Sequence, residues 1–278
     1  MGDNSMGDTR GCGTVSDVAQ SVPPVFVKRN LAAPPGFFAC EAAGLRWLAA
    51  VPSGAACVPV LDVTEHALTL VRLDTVQPEA HAARAFGRAL ARTHRAGARG
   101  FGAAPDGWEQ DGWFGPLDAP MPVPLRSRAS WGEHYGEDRL SPMVERAGRA
   151  FSAEQRTVLL ELARRCADGD FDDDEPPSRV HGDLWSGNVL WTAHGAVLID
   201  PAAHGGHRET DLAYLKLFGV AHYEEIIAGY QEEHPLRDGW RGRQCLHQTF
   251  MLLAHVVLFG RSYVPETVSA AERSLALL

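Results

Sequence analysis

The run His181-Gly-Asp-Leu-Trp-Ser-Gly-Asn-Val-Leu190 sets a carboxylate at Asp183 and an amide five positions on at Asn188. A second carboxylate, Asp200, closes the apolar stretch that begins at Gly195. These types in this order suit phosphoryl transfer to a hydroxyl. The transition state of that reaction needs little covalent help from protein, so one carboxylate must orient the hydroxyl and accept its proton. Asp183 is the candidate. Magnesium takes one or two protein oxygens besides the phosphates it bridges, and Asn188 and Asp200 are the candidate ligands. Gly195 to Asp200 reads as a short buried strand, with Val189 to Thr192 as its hairpin partner across His194-Gly195, which sends both metal candidates to one cleft. A lone His-Gly-Asp is usually a turn, and an acid after an apolar strand is common. Their combination at this gap carries the prediction.

Such a loop needs upstream elements to position the nucleotide. In the protein-kinase arrangement these are a glycine-rich loop, a strand bearing a lysine for the phosphates, and a helix whose glutamate holds that lysine. Val25-Phe-Val-Lys28 supplies the strand. Phe37-Phe-Ala-Cys-Glu41 opens a helical pattern through Leu45 and Leu48, so Glu41 is the expected partner of Lys28. Arg10-Gly-Cys-Gly-Thr-Val-Ser16 offers Gly11 and Gly13 for close backbone approach to phosphate, although it lacks a full G-x-G-x-x-G. Cys12 between them is a hypothesised redox site, whose oxidation could link two subunits or block ATP. Residues 1–10 read as a disordered leader, with Met1 or Met6 as the start.

Three blocks, 181–188, Ile199-Asp-Pro-Ala202 and Gly206-His-Arg-Glu-Thr-Asp-Leu-Ala213, resemble the fructosamine kinase family, also called ketosamine-3-kinases. Further similarity runs through residues 25–28, 41–48, Leu90-Ala-Arg-Thr-His94, Trp131 to Pro142 and Leu258 to Tyr263, covering nearly everything after residue 10. The Leu-Trp-Ser-Gly insertion in the loop separates this group from aminoglycoside and choline kinases. The resemblance implies an α+β, two-lobed protein-kinase-like fold, with a small antiparallel β-sheet N-lobe and a mostly helical C-lobe. It implies transfer of the ATP γ-phosphate, with Mg2+, to the 3-hydroxyl of a ribulosamine or fructosamine, the adduct of a sugar with lysine or a small amine. The phosphorylated product is unstable and releases the amine, so the similar enzymes are described as deglycating. The acceptor is then a small ketoamine or a glycated protein lysine. Asp183 matches the family's catalytic position, Asn188 and Asp200 its metal positions, and Lys28 and Glu41 its phosphate pair. Val71-Arg72-Leu73 falls at the adenine hinge, with Val71 where an acid is usual.

Gly206-His-Arg-Glu-Thr-Asp211 follows the metal strand and opens a helix through Leu212, Leu215 and Phe218. Thr210 or Asp211 could simply cap that helix. We expect Asp211 instead to brace the catalytic loop, with His207 and Glu209 near the acceptor. Trp185 either offers a flat face to the sugar or wedges the loop into the large lobe.

Residues 11–73 form the expected nucleotide lobe, with strands near 13–20, 25–29, 58–62 and 67–71 around a helix over 37–50. Residues 74–278 form the catalytic and acceptor lobe, with helices over 81–96, 131–149 and 152–167 and an irregular, Gly- and Pro-rich stretch over 99–130. The acidic run Asp168 to Glu175 reads as a solvated linker. A net charge of −9 argues against a nucleic-acid partner. The longest apolar stretch, Phe250 to Phe259, is about half the ~20 residues that span a bilayer, so no membrane partner is expected. Five scattered cysteines without C-x-x-C spacing point to a reducing cytoplasm. Oligomeric state, monomer or dimer, is left open. Two other functions fit the general motifs: kinase action on an aminoglycoside or amino alcohol, and nucleotide binding without turnover.

Overall fold

The computed structural model describes Met1 and residues 24–278. The Gly11–Gly13 loop with Cys12, the strand expected near 13–20, and all of the expected leader but Met1 lie outside the described residues.

After β1 (Val25–Arg29) the chain forms α1 (Phe37–Ala49), the short β2 (Ala56–Cys57), β3 (Val60–Val63) and β4 (Ala67–Val71). Strands β1, β4 and β3 make an antiparallel sheet in that order, with Lys28 opposite Leu68. Gly36, at φ +80°, turns the chain into α1, a left-handed conformation that costs a residue without Cβ little. Phe38, Ala42 and Leu45 recur at helical spacing and bury against Leu68 and Leu70. Each large side chain so buried contributes about 1.5–3 kcal/mol. Glu41 lies on the same buried face, so the packing that docks the helix also delivers its carboxylate to β1.

The larger lobe begins with α2 (Ala80–Arg95), then the hairpin β5 (Gly112–Phe114) and β6 (Met121–Val123). The helix expected over 131–149 is divided into α3 (Trp131–Glu133), a π-helical stretch His134–Leu140, and α4 (Ser141–Ala147). Its widened turn runs hard against the next helix, α5 (Ala153–Ala167): a Cβ on Gly136 would lie 2.3 Å from Ala163 O. Then come β7 (Ser178–Val180), β8 (Val189–Thr192), β9 (Gly195–Leu198), β10 (His204–Gly206), α6 (Arg208–Leu217), α7 (Tyr223–Glu233), α8 (Trp240–Phe259) and α9 (Val264–Leu275).

Helix α8 is the spine of this lobe. Leu246, Phe250, Met251 and Leu253 pack with Tyr135, Leu140, Val144 and Leu162 in its main core. A second core joins α2 and α7 to the catalytic loop through Phe86, Leu90, Leu184, Ile226 and Tyr230. There the two helices meet backbone to backbone. A Cβ on Gly87 would lie 1.9 Å from Ile226 O, and one on Gly229 1.9 Å from Arg84 O.

One strand pairing ties the two lobes together. Strand β2 pairs in parallel with β9, whose other edge carries β8. The acidic run is irregular and largely exposed, as expected of a solvated linker, but two of its acids are tied down: Asp172 accepts from Gly132 N at 2.7 Å, and Glu175 accepts from the buried Arg208 guanidinium at 2.9 Å. Composition alone suggested solvent throughout, but the starts of α3 and α6 in the same lobe supply donors to these two acids. Among the described residues no helix is long and apolar enough to cross a membrane.

Candidate active site

Hairpin β8–β9 and the loop before it hold Asp183, Asn188 and Asp200 together. Asn188 Nδ2 donates to Asp183 O at 2.7 Å and to Asp183 Oδ2 at 3.1 Å, leaving the amide oxygen for another partner. His181 Nε2 lies 2.8 Å from Ile199 O. A carbonyl only accepts, so Nε2 carries the proton and Nδ1 accepts from Asp183 N at 3.2 Å. One imidazole thus couples the loop bearing Asp183 to the strand that ends at Asp200. Gly182 sits at φ +79°, and a Cβ there would lie 2.2 Å from Ala202 O. Asp200 is itself at φ +55°, a conformation that costs a non-glycine residue about 1 kcal/mol or more and is typical of functional sites.

Beneath the loop, the fully buried Asp211 accepts from His181 N at 2.7 Å and Gly182 N at 3.0 Å. His94 Nε2 is 3.1 Å from the same carboxylate, and its Nδ1 is 2.8 Å from Tyr230 Oη. Burial pushes the Asp211 carboxyl up, but the His94 contact and the loop N–H groups outweigh it and hold the pKa below the ordinary value. His94 and Tyr230 were not anticipated as partners. The Leu-Ala-Arg-Thr-His block was the available signal, but nothing in its spacing says which element it meets.

Across the cleft, Lys28 Nζ donates to Glu41 Oε1 at 2.7 Å and to Asp200 Oδ1 at 2.6 Å. Burial works against its charge, yet the two carboxylates prevail and raise its pKa. Asp183 faces the opening but is otherwise surrounded by protein. Burial raises its pKa well above the ordinary value, the Asn188 bond opposes that, and the Asp200 and Asp211 charges add to it. These groups line a cleft of about 560 Å³.

The far end of the cleft is aromatic. Trp113 and Phe114 come from the β5–β6 hairpin, within the stretch expected to be irregular; Phe218, His255, Phe259 and Tyr263 come from the large lobe. Trp185 is 40% exposed and meets Phe218 edge-on at 6.1 Å. It also folds over Gly187, where a Cβ would lie 2.2 Å from its ring. Trp185 therefore both shapes the loop and presents surface to the cleft.

His207 and Glu209 are corrected: both are buried away from this cleft. Glu209 accepts from Arg243 at 2.6 and 3.0 Å and lies 3.6 Å from His247 Nε2. His207 Nε2 is 3.4 Å from Asp173. They lie at the start of α6 on the side that packs against α8, so they support the fold instead of meeting an acceptor. His207, Glu209 and His247 are close enough to suggest a metal site, but their bonding argues against one. Arg243 occupies both Glu209 oxygens, and His207 Nδ1 accepts from Glu209 N, which puts its proton on Nε2.

At the hinge, Val71 N donates to Pro59 O and Arg72 N to Pro24 O. Those two donors are engaged within the protein. Leu73 follows the strand and packs against the small-lobe core.

Two lobes about a cleft, with an acid, amide and acid on one side and a lysine–glutamate pair on the other, define a protein-kinase-like phosphotransferase. Solved structures agree. A thermostable mutant of the aminoglycoside phosphotransferase APH(4)-Ia, in a complex with ADP and hygromycin B, matches at TM-score 0.55 over 91% of this chain and 84% of that one, with 16% identity. At that identity the likeness establishes the fold alone.

The sequence model for fructosamine kinase matches residues 5–276, and the chain belongs to that family. It is 40% identical, at TM-score 0.82, to the crystal structure of a candidate fructosamine-3-kinase from Thermobifida fusca YX-ER1, over 91% of this chain and 86% of that one. It is 31% identical over 232 residues to a probable ketoamine kinase of Enterococcus faecium, covering 82% of this chain and 79% of that protein. The protein is thus a phosphotransferase of the sugar-amine kinase kind, in a family whose fold implies use of ATP.

Proposed function

We propose that this enzyme phosphorylates the 3-hydroxyl of a ribulosamine or fructosamine borne by lysine or a small amine, and so promotes deglycation. The observation that carries this reading is the joining of two chemistries in one cleft: the Lys28, Glu41, Asp183, Asn188 and Asp200 cluster, and an aromatic end built on Trp113, Trp185 and Phe218. Asp183 orients the acceptor hydroxyl and takes its proton. Lys28, held by Glu41, positions the nucleotide phosphates. Asn188 and Asp200 present hard oxygen donors of the kind magnesium takes, and bound magnesium would neutralise phosphate charge there. Val71, Arg72 and Leu73 border the adenine, and Trp185 lies against the sugar. Residues 11–73 serve as the nucleotide lobe and 74–278 as the acceptor lobe.

Among the described residues, the carboxylates lining the cleft are Glu41, Asp183 and Asp200, all within the phosphate end. A polycationic aminoglycoside would find no additional carboxylate at the aromatic end among the described residues, which disfavours that reading. A ketoamine, with one amine and an otherwise neutral sugar, needs none. Cys40, Cys57, Cys166 and Cys245 are free thiols, which is consistent with work in a reducing cytoplasm.

The test is ADP release with magnesium-ATP against ribulosyl-lysine, fructosyl-lysine, an aminoglycoside and choline. Turnover on a ketoamine, with phosphate on its 3-hydroxyl, is expected. Activity confined to the aminoglycoside or choline would keep the catalytic assignment and overturn the acceptor.

A further inference from the structure

We propose that a small monovalent anion of chloride size occupies a small internal cavity behind the catalytic loop, bound chiefly by Arg139 with Tyr214. The cavity is about 20 Å³, and its walls also include His204 and the backbone at Gly182 and Ala202. It is separate from the cleft where nucleotide and acceptor meet.

Arg139 is the reason to expect an anion. It lies on the π-helical stretch, is 4% exposed, and has no carboxylate within ion-pair distance among the described residues. Its hydrogen bonds run from Nη1 alone, to Pro124 O at 2.9 Å and Asp138 O at 3.2 Å. Both acceptors are neutral carbonyls. Nε and Nη2 make no bond to the described residues, although Arg139 lines the cavity. A buried guanidinium without a counter-charge is costly, and interiors pair such charges or supply an ion.

The neighbouring carboxylates are already spent. Asp138 takes two bonds of 2.9 Å from Arg128 and lies 3.5 Å from Arg126. Asp211 is engaged by His94 and two loop N–H groups. Asp183 accepts from Asn188 and faces the cleft.

Of the remaining walls, Tyr214 supplies a donor. His134 Nδ1 has no hydrogen-bond partner but lies 3.8 Å from Asp138 Oδ2, so that ring faces a carboxylate and is not counted as a donor to the anion. Tyr214 is 1% exposed, lines the cavity, and has a hydroxyl that bonds to no described residue. His204 Nδ1 is tied to Ala202 O at 2.8 Å, and its ring lies 5.3 Å from that of His134. Burial holds His134 at about 4 and His204 well below its ordinary value, so both rings are neutral at pH 7 and Arg139 is the charge to be met. Burial likewise lowers Arg139 to about 10, with the more distant Asp138 and Asp111 charges opposing it only in part.

Size selects the ligand. Since a water needs about 10–15 Å³ of such space, the cavity admits one monatomic ion and excludes phosphate or sulfate. Gly182 precedes Asp183, and Ala202 follows Asp200 by two residues. An anion here would stiffen the backbone behind both without entering the reaction.

The experiment compares thermal unfolding of the full chain in sodium gluconate, chloride and bromide at matched ionic strength, together with anomalous diffraction from crystals soaked in bromide. The expected result is a saturable rise in Tm of about 2–4 °C at ten times the midpoint halide concentration, with a bromide peak beside Arg139. Arg139→Met should abolish the halide dependence. Should that variant fail to fold, Tyr214→Phe keeps the ring, removes one donor and should raise the midpoint several-fold. Equal Tm in all three salts, or soaked crystals with no bromide peak in the cavity, overturns the proposal in favour of ordered water.

Discussion

Replacing Asp183 by Asn should slow the enzyme severely while making the unliganded protein more stable. The substitution is nearly isosteric. If the new amide oxygen takes the position of Oδ2, the 3.1 Å bond from Asn188 Nδ2 survives, as does the 2.7 Å bond to the backbone carbonyl of residue 183. Lys28, Glu41 and Asp200 are untouched, so magnesium-ATP should bind within about threefold of wild type. Removing a positioned base costs about 10²–10⁴ in kcat, or roughly 3–5 kcal/mol of barrier.

The stability effect has the opposite sign because burial raises the Asp183 pKa, with Asp200 and Asp211 adding to it. A carboxyl whose folded pKa exceeds its unfolded value of about 3.9 contributes fully below that value. Its contribution is lost as pH rises through the folded value. The amide suffers no such loss. The Tm of Asp183→Asn should therefore exceed that of wild type at pH 7, and the gap should narrow as pH falls toward 4. Steady-state ADP release, calorimetric nucleotide binding and melts across that pH range test all three points. A kcat within tenfold of wild type, or a lower Tm at pH 7, would refute the reasoning.

Glu209 tests the buried cluster at the start of α6. Burial raises its pKa, but His247 and Arg243 bring it to about 2. Being depressed, this group stabilises the fold above its unfolded pKa near 4.3, and the benefit is lost as pH falls toward 2. Glu209→Gln should cost about 3 kcal/mol at pH 7 in urea unfolding, with the difference shrinking below pH 4; a loss under 1 kcal/mol would count against the cluster's structural role. Gly87→Ala places a methyl 1.9 Å from the Ile226 carbonyl oxygen, and neither backbone can yield cheaply. It should lower stability by about 3 kcal/mol or more, and a Tm within 2 °C of wild type would show that α2 and α7 are not so tightly apposed.

The legible parts of the site are the local ones. Asp183, Asn188 and Asp200 fall within eighteen positions, joined by a hairpin whose pairing follows from alternation and a His-Gly turn, and the structure places them around one opening. Lys28 and Glu41 lie farther off, but a β-strand and a helical pattern were readable on either side of Gly36. The His94–Asp211–Tyr230 chain was not readable in full, since its members are separated by 117 and 136 positions. The same is true of Arg139, whose isolation depends on Asp138 turning to Arg128 instead. His207 and Glu209 show the sharper failure: their types suit an acceptor site, but side-chain chemistry does not say which face of α6 meets α8.

Sequence alone thus determined the order of acid, amide and acid, the lysine and glutamate that face them, and the class of reaction these can perform. Covalent spacing and strand or helix period place such groups to within a few ångströms. Tertiary structure alone decided what surrounds them: the aromatic end of the cleft, the inward turn of Glu209, the partners of the acidic run and the unpaired charge of Arg139. Those outcomes depend on how separate elements pack, where many weak contacts summed over buried surfaces select one arrangement that no local pattern encodes.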